Sequence, residues 1–202
     1  MTQGNIAGDA GGLASAITRQ LDGGTLRKPA PVDAWEPAFC GDIDMEIRGD
    51  GAWLYQGSPI GRAALVQLFS TVLRKDEDGE TYLVTPVEKL RIRVEDAPFI
   101  AVGMEVEGVG DSRTLVIRTN MGDLVEAGPD HPLRFDASGD DDGLKPYVLV
   151  RGRLEALFSR ALTYDLMALG EEIEIEGRAM FAIRAGGAAF PVMDMAALEQ
   201  RL

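Results

Sequence analysis

Residues 41–73, GDIDMEIRGDGAWLYQGSPIGRAALVQLFSTVL, decide the architecture, because a strand period gives way within them to a helical one. Ile43, Met45 and Ile47 alternate with Asp44, Glu46 and Arg48, the spacing of a strand with one buried face. Gly49-Asp50-Gly51 supplies a turn, and Trp53-Leu54-Tyr55 the returning strand. Ser58 can cap a helix and Pro59 is preorganised for its first position, so a helix is expected to start there. Leu65, Leu68, Phe69, Val72 and Leu73 then fall at i, i+3, i+4, i+7 and i+8, one apolar stripe suited to packing on a sheet.

Upstream, residues 1–12 are Gly-rich and polar and predict a loose tail. Leu13, Ile17 and Leu21 predict a short helix over 13–21, stopped by Gly23-Gly24. The proline-rich segment 26–39 predicts an extended lead-in anchored by Trp35 and Phe39. Downstream, the acidic turn 75–79 ends the long helix, and strands are expected over 82–85 and 90–94, separated by Pro86. Alternating segments at 101–106 and 114–118, a turn at 120–123 and Leu124-Val125 complete a mostly antiparallel sheet with one long helix.

Gly128-Pro129-Asp130-His131-Pro132 is dense in turn residues and predicts a boundary. The expected organisation is therefore a tail with a short helix over 1–30, an N-terminal α+β domain over 31–127 and a C-terminal α+β domain over 128–202. In the second half, strands are expected at 133–135 and 147–150, followed by a helix from Gly152. There Leu154, Leu157, Phe158, Ser159 and Leu162 fall on Leu65, Leu68, Phe69, Ser70 and Leu73 of the first helix, which predicts an internal duplication. Strands at 173–175, 179–183 and 188–192, the last two joined by Gly186-Gly187, and a short helical tail close the chain.

The 202 residues carry 33 Asp and Glu against 20 Lys and Arg, a formal charge of −13 that repels polyphosphate backbones and disfavours nucleic acid as a partner. No apolar run approaches the roughly 20 residues of a membrane span. Cys40 is the one cysteine, and the first residues lack a basic and then an apolar region for export, so the cytoplasm is the expected compartment.

No phosphate loop, dinucleotide fingerprint, nucleophile elbow or zinc-protease motif occurs, so no catalytic residue is assigned. One His and one Cys leave little for a zinc site, and no metal is expected. Asp136, Ser138 and Asp140 have the alternate spacing of calcium ligands. The loop nevertheless lacks the required glycine and glutamate, having Asp141 and Tyr147 in their places. The arginines say more. Arg62 stands at the start of the first helix, and Arg151 and Arg153 flank the start of the second, where a positive helix end disfavours cations. A neighbouring carboxylate or a bound anion must compensate, and two such helix starts facing one cleft would hold a small anion. Glu88 and Asn120 are polar groups in apolar surroundings, candidates either to orient that ligand or to cap turns.

The motifs WEPAFCGDID (35–44), GSPIGR (57–62), LFSTVLR (68–74), LVTPVEK (83–89), DAPF (96–99), RTNMGD (118–123), AGPDHPLR (127–134) and YVLVRG (147–152) resemble the uncharacterised bacterial family called domain of unknown function 1285. The resemblance implies two related α+β halves, the second superficially like a pleckstrin-homology fold. It implies a small-ligand site between the halves, for a nucleotide-like molecule, and a role in signalling; it supplies no catalytic residue. The expected protein is a ligand-binding or sensory one, with Arg62 and Arg151 on the anion and Glu88 and Asn120 orienting polar groups. The alternatives are a hydrolase using a carboxylate pair such as Asp44 and Glu88, and an adaptor with a protein partner. Oligomeric state and cofactor are not legible.

Overall fold

In the computed structural model, which describes residues 10–21, 29–137 and 143–199, the chain divides into two compact units between Pro98 and Phe99. The predicted boundary at 128–132 is corrected: that turn lies inside the second unit. The tail 1–9, the glycine stop at 23–24 and the acidic loop 138–142 fall outside the described residues.

The first unit begins with α1 (Ala10–Gln20), whose Leu13 and Ile17 are buried as their spacing predicts. Its sheet comprises β1 (Phe39–Ile47), β2 (Trp53–Tyr55), β3 (Ser58–Pro59), β4 (Leu73–Lys75), β5 (Thr81–Val84) and β6 (Lys89–Val94), with α2 (Ala63–Thr71) between β3 and β4. Strand order is β3-β2-β1-β6-β5-β4; β1 and β6 run parallel and every other pair antiparallel. Met45 and Ile47 of β1 are fully buried together with Trp53, Leu83 and Phe69. Trp53 stacks on Phe69 of α2, with centroids 6.3 Å apart and planes at 17°. Asp42, Asp44 and Glu46 take the opposite, solvated face, the alternation expected of a sheet packed on one side.

Two predicted elements of this unit change. Ser58-Pro59 does not open the helix: it pairs with Leu54 and Tyr55 as an edge strand, a position where proline's missing N–H costs nothing. The helix starts at Ala63 and stops at Thr71, and Leu73, read as its last apolar position, opens β4 opposite Leu83. Burial of Leu73 against a neighbouring strand outweighs one more helical turn, and the acidic turn at 76–79 closes a hairpin. The lead-in is likewise held differently. Arg74 Nη1 donates to the carbonyls of Val32 and Trp35 at 2.9 and 2.8 Å, while Phe39 stays 54% exposed, edge-on to Tyr82.

The second unit holds β7 (Phe99–Glu107), β8 (Thr114–Thr119), β9 (Leu124–Glu126), β10 (Leu133–Asp136), β11 (Lys145–Arg151) and β12 (Leu154–Phe158). After α3 (Arg160–Met167) come β13 (Glu171–Ile175), β14 (Arg178–Ala185), β15 (Ala188–Asp194) and α4 (Met195–Glu199). The first six strands form one sheet in the order β10-β11-β12-β7-β8-β9, and the last three an antiparallel meander. The helix predicted from Gly152 is a strand, in which Leu154, Ala156 and Phe158 are buried at a period of two. The helix comes later, capped by the Ser159 hydroxyl, which accepts from the Leu162 amide.

That finding removes the alignment of helix on helix, but the sheets themselves correspond. Counted from the start of each unit, both six-stranded sheets run 3-2-1-6-5-4 with a parallel pair, β1/β6 or β7/β12, at the centre. In this register β12 is the counterpart of β6, and the turn at 128–132 takes the place of α2. The fold is α+β, two sheet-rich halves with few helices.

Candidate functional site

Arg62 is the residue immediately before α2, in extended conformation (φ −94°, ψ 104°), and its side chain does not cap the helix. It is exposed, and its guanidinium forms no ion pair with a carboxylate among the described residues. Beside it lies a hollow of about 390 Å³. The two-residue hairpin at Gln56-Gly57, both with positive φ (49° and 73°), turns the chain so that Gln56 and Ser58 border this hollow. Tyr55, Ile60 and Leu65 supply apolar wall, and the first described residues of α1, Ala10 and Gly11, close one side. The expectation of a helix start at the anion candidate therefore holds for α2 and Arg62, whereas the neighbouring helix is α1.

The other three candidates are engaged inside the fold. Glu88 sits in a turn whose Thr85 hydroxyl accepts from the Glu88 amide at 3.0 Å, and its carboxylate accepts from Gln20 Nε2 of α1 at 3.1 Å. Asn120 clamps Ile100 from both sides: its amide donates to the Ile100 carbonyl at 2.8 Å, and its side-chain oxygen accepts from the Ile100 amide at 3.1 Å. Arg151 ends β11, not a helix, and donates from Nη1 to Asp123 at 2.9 Å with its guanidinium 4.7 Å from the Phe99 ring centre. Asp123 accepts in turn from Thr119 at 3.2 Å. The second unit thus brings Asp123 and Arg151 together as a strand-end brace and holds Asn120 on Ile100; Arg62 and Glu88 belong to the first unit.

A second hollow of about 880 Å³ lies on the solvated face of the first sheet. Arg91 forks onto Asp42 through two 2.8 Å bonds, and Arg93 reaches Asp44 at 3.4 Å and Glu46 at 3.2 Å. The Arg91 hydrogen bonds hold the Asp42 carboxyl below its usual value and push Arg91 up. Charges here are matched across the parallel pair β1/β6, as a solvated sheet face requires. Of the carboxylate pair weighed for hydrolysis, Asp44 lies 3.4 Å from Arg93 on this exposed face and Glu88 accepts from Gln20.

Next to this face is a half-buried cluster that sequence reading missed. Asp76 receives Arg74 Nε at 2.6 Å and Lys89 Nζ at 3.0 Å. Burial pushes the Asp76 carboxyl up, but the hydrogen bonds and charges of Arg74 and Lys89 outweigh it and leave the group below its ordinary value. Lys89 also lies over the Tyr82 ring, 4.5 Å from its centre, and the Tyr82 hydroxyl donates to Asp78 at 2.6 Å. That bond raises the phenol to about 12. The only sequence signal was the run of acids at 76–78, read as a solvated turn. Among the described residues no group of three or more His, Cys, Asp or Glu is placed to hold a metal ion, and no helix is long and apolar enough to cross a membrane.

Comparison with known families matches residues 30–97 to the N-terminal domain of DUF1285, a domain of unknown function, and residues 98–192 to the C-terminal domain of the same family. A crystal structure of a DUF1285 family protein from Silicibacter pomeroyi DSS-3 is similar, with 45% identity and a TM-score of 0.84, over 96% of this chain and 99% of that one. One from Shewanella baltica OS155 is 30% identical over 61% of this chain and 90% of that one, with a TM-score of 0.48. Comparison with curated proteins finds no match.

Proposed function

Because the chain belongs to the DUF1285 family, whose description is of unknown function, its role has to be argued from its own chemistry, and we propose that it is a sensory protein binding a small anionic molecule at Arg62. One observation carries the proposal: Arg62 is a guanidinium bordering a hollow, without an ion-pair partner among the described residues, in a chain of net charge −13. The half-buried Arg74, Arg113 and Arg151 are paired, whereas the exposed Arg62, like Arg118, Arg160 and Arg178, has no ion pair among the described residues. Its place beside the hollow singles Arg62 out. A planar fork left open next to a concave surface is suited to a carboxylate or phosphate.

The test is an unfolding-midpoint screen with inorganic phosphate, nucleotides and small carboxylates on the wild type and on Arg62→Ala. A bound anion raises the midpoint of the wild type in a concentration-dependent way and leaves the variant unmoved. Equal behaviour of the two proteins with every anion would overturn the proposal. Glu88, Asn120 and Arg151, whose partners lie within the fold, are assigned to its support.

We also infer that the two units arose by duplication of one six-stranded sheet. The shared 3-2-1-6-5-4 order with a central parallel pair supports this. The repeat is then offset from the one that matching helices suggested. Solving each unit as a separate chain would test it, since independent folding of residues 29–98 and 99–199 is the outcome that duplication of a whole domain requires.

A further inference from the structure

Resting on the reading of Arg62 as an anion site, we propose that its ligand is a small monoanionic carboxylic acid with an apolar body, and not a nucleoside polyphosphate. Charge decides the first half. Among the described residues, the lining of the hollow holds one cation, Arg62, and neither a lysine, a second arginine nor a carboxylate. One guanidinium neutralises one carboxylate through two parallel bonds. Each further negative charge on a ligand would stand uncompensated in a chain of net charge −13, and no group of carboxylates among the described residues is placed to bring a metal ion to it.

Size and surface decide the second half. At about 390 Å³ the hollow lies toward the lower end of ligand pockets, which run roughly from 300 to 1,000 Å³. Tyr55, Ile60 and Leu65 add apolar lining to the polar groups of Gln56, Ser58 and Arg62. Ile60 and Leu65 are only partly covered by the rest of the chain, so an apolar body laid on them removes further apolar area from water. The Gln56 amide and Ser58 hydroxyl also line the hollow and can each hydrogen-bond a carboxylate oxygen or a further polar atom of the acid.

Titration calorimetry on the full chain with phenylacetate, its neutral isostere phenylacetamide, hexanoate, AMP and ATP tests this. The expected result is that phenylacetate or hexanoate binds, that phenylacetate binds about tenfold or more tighter than phenylacetamide, and that ATP does not bind. Binding should be lost in Arg62→Ala and partly kept in Arg62→Lys, with unchanged unfolding midpoints showing both variants folded. If AMP or ATP binds through Arg62 and the carboxylates do not, the ligand class is overturned while the anion site stands. If none of the five probes nor inorganic phosphate responds to the loss of Arg62, both readings fall.

Discussion

Arg151 and Asp123 meet at 2.9 Å across 28 residues of chain, each side chain about four-fifths buried, at 20% and 21% exposure. The pair ties the end of β11 to the turn between β8 and β9, and the guanidinium also covers the ring of Phe99 at the start of β7. Three strand ends are thereby fixed by one arginine. Removing one partner takes a charge-assisted bond from the other in a poorly hydrated place, so Arg151→Met and Asp123→Asn should each lower stability by about 1–3 kcal/mol. Urea unfolding of the two single variants and the double variant should give a coupling energy well above zero; additive losses would show that the pair contributes little.

Thr119 is the hub beneath that pair. Its hydroxyl donates to Asp123 and accepts from the amides of Met121 and Asp123 at 3.2 and 3.1 Å, with the residue 1% exposed. Thr119→Val keeps the shape and deletes the hydroxyl, leaving those amides without it, and should cost about 1–3 kcal/mol. Thr119→Ser, which keeps the oxygen, should cost clearly less in the same denaturant titration.

The adjacent glycines of the β14–β15 turn should respond differently. A Cβ at Gly186 would stand 2.5 Å from the Ala127 carbonyl oxygen and 2.9 Å from Gly128 Cα, both backbone, with φ at +56°. At Gly187, with φ +74°, it would meet nothing within 4 Å. Gly186→Ala should therefore cost about 2–4 kcal/mol and Gly187→Ala about 1 kcal/mol. Thermal unfolding separates the two, and equal losses would count against the close approach.

Asp76 should make acid stability visible. Its folded value lies below the ordinary 3.8, so the stability it contributes is fully present above 3.8 and is lost as pH falls through the lower folded value. The stability advantage of the wild type over Asp76→Asn should hold at neutral pH and shrink on acidification below that point. A difference that stays constant with pH would show that Asp76 is not held ionised by Arg74 and Lys89.

Tyr82 marks the alkaline side of the same cluster. With its hydroxyl donating to Asp78, it should ionise near 12, later than an ordinary tyrosine at 10. A spectrophotometric titration should lose its last phase in Tyr82→Phe, and in Asp78→Asn that phase should move toward 10.

Much of the local structure was legible because one face of each element is buried. The alternation of Ile43, Met45 and Ile47 gave β1, the spacing of Leu13 and Ile17 gave α1, and Gly186-Gly187 gave the last hairpin. Residues 154–162 were misread because Leu154, Leu157, Phe158 and Leu162 satisfy a helical spacing while Leu154, Ala156 and Phe158 satisfy that of a strand. Pairing of β12 with β11, its neighbour across the turn at 152–153, and with β7, which is distant in sequence, settles the choice.

The candidate site divides the same way. Sequence singled out Arg62 because a cation at a helix start needs explaining, and Arg151 for the same reason, yet Arg151 stands at a strand end and has Asp123. Glu88 and Asn120 were visible as polar groups in apolar runs, but their partners, Gln20 and Ile100, lie 68 and 20 residues away. The sequence by itself determined the α+β character, most strand faces and the excess of negative charge, since these follow from residue type and period. Tertiary structure alone decided which arginine is paired and which faces a hollow. An ion pair or a cavity wall is a relation between distant segments, and only the folded register of strands brings them within hydrogen-bond reach.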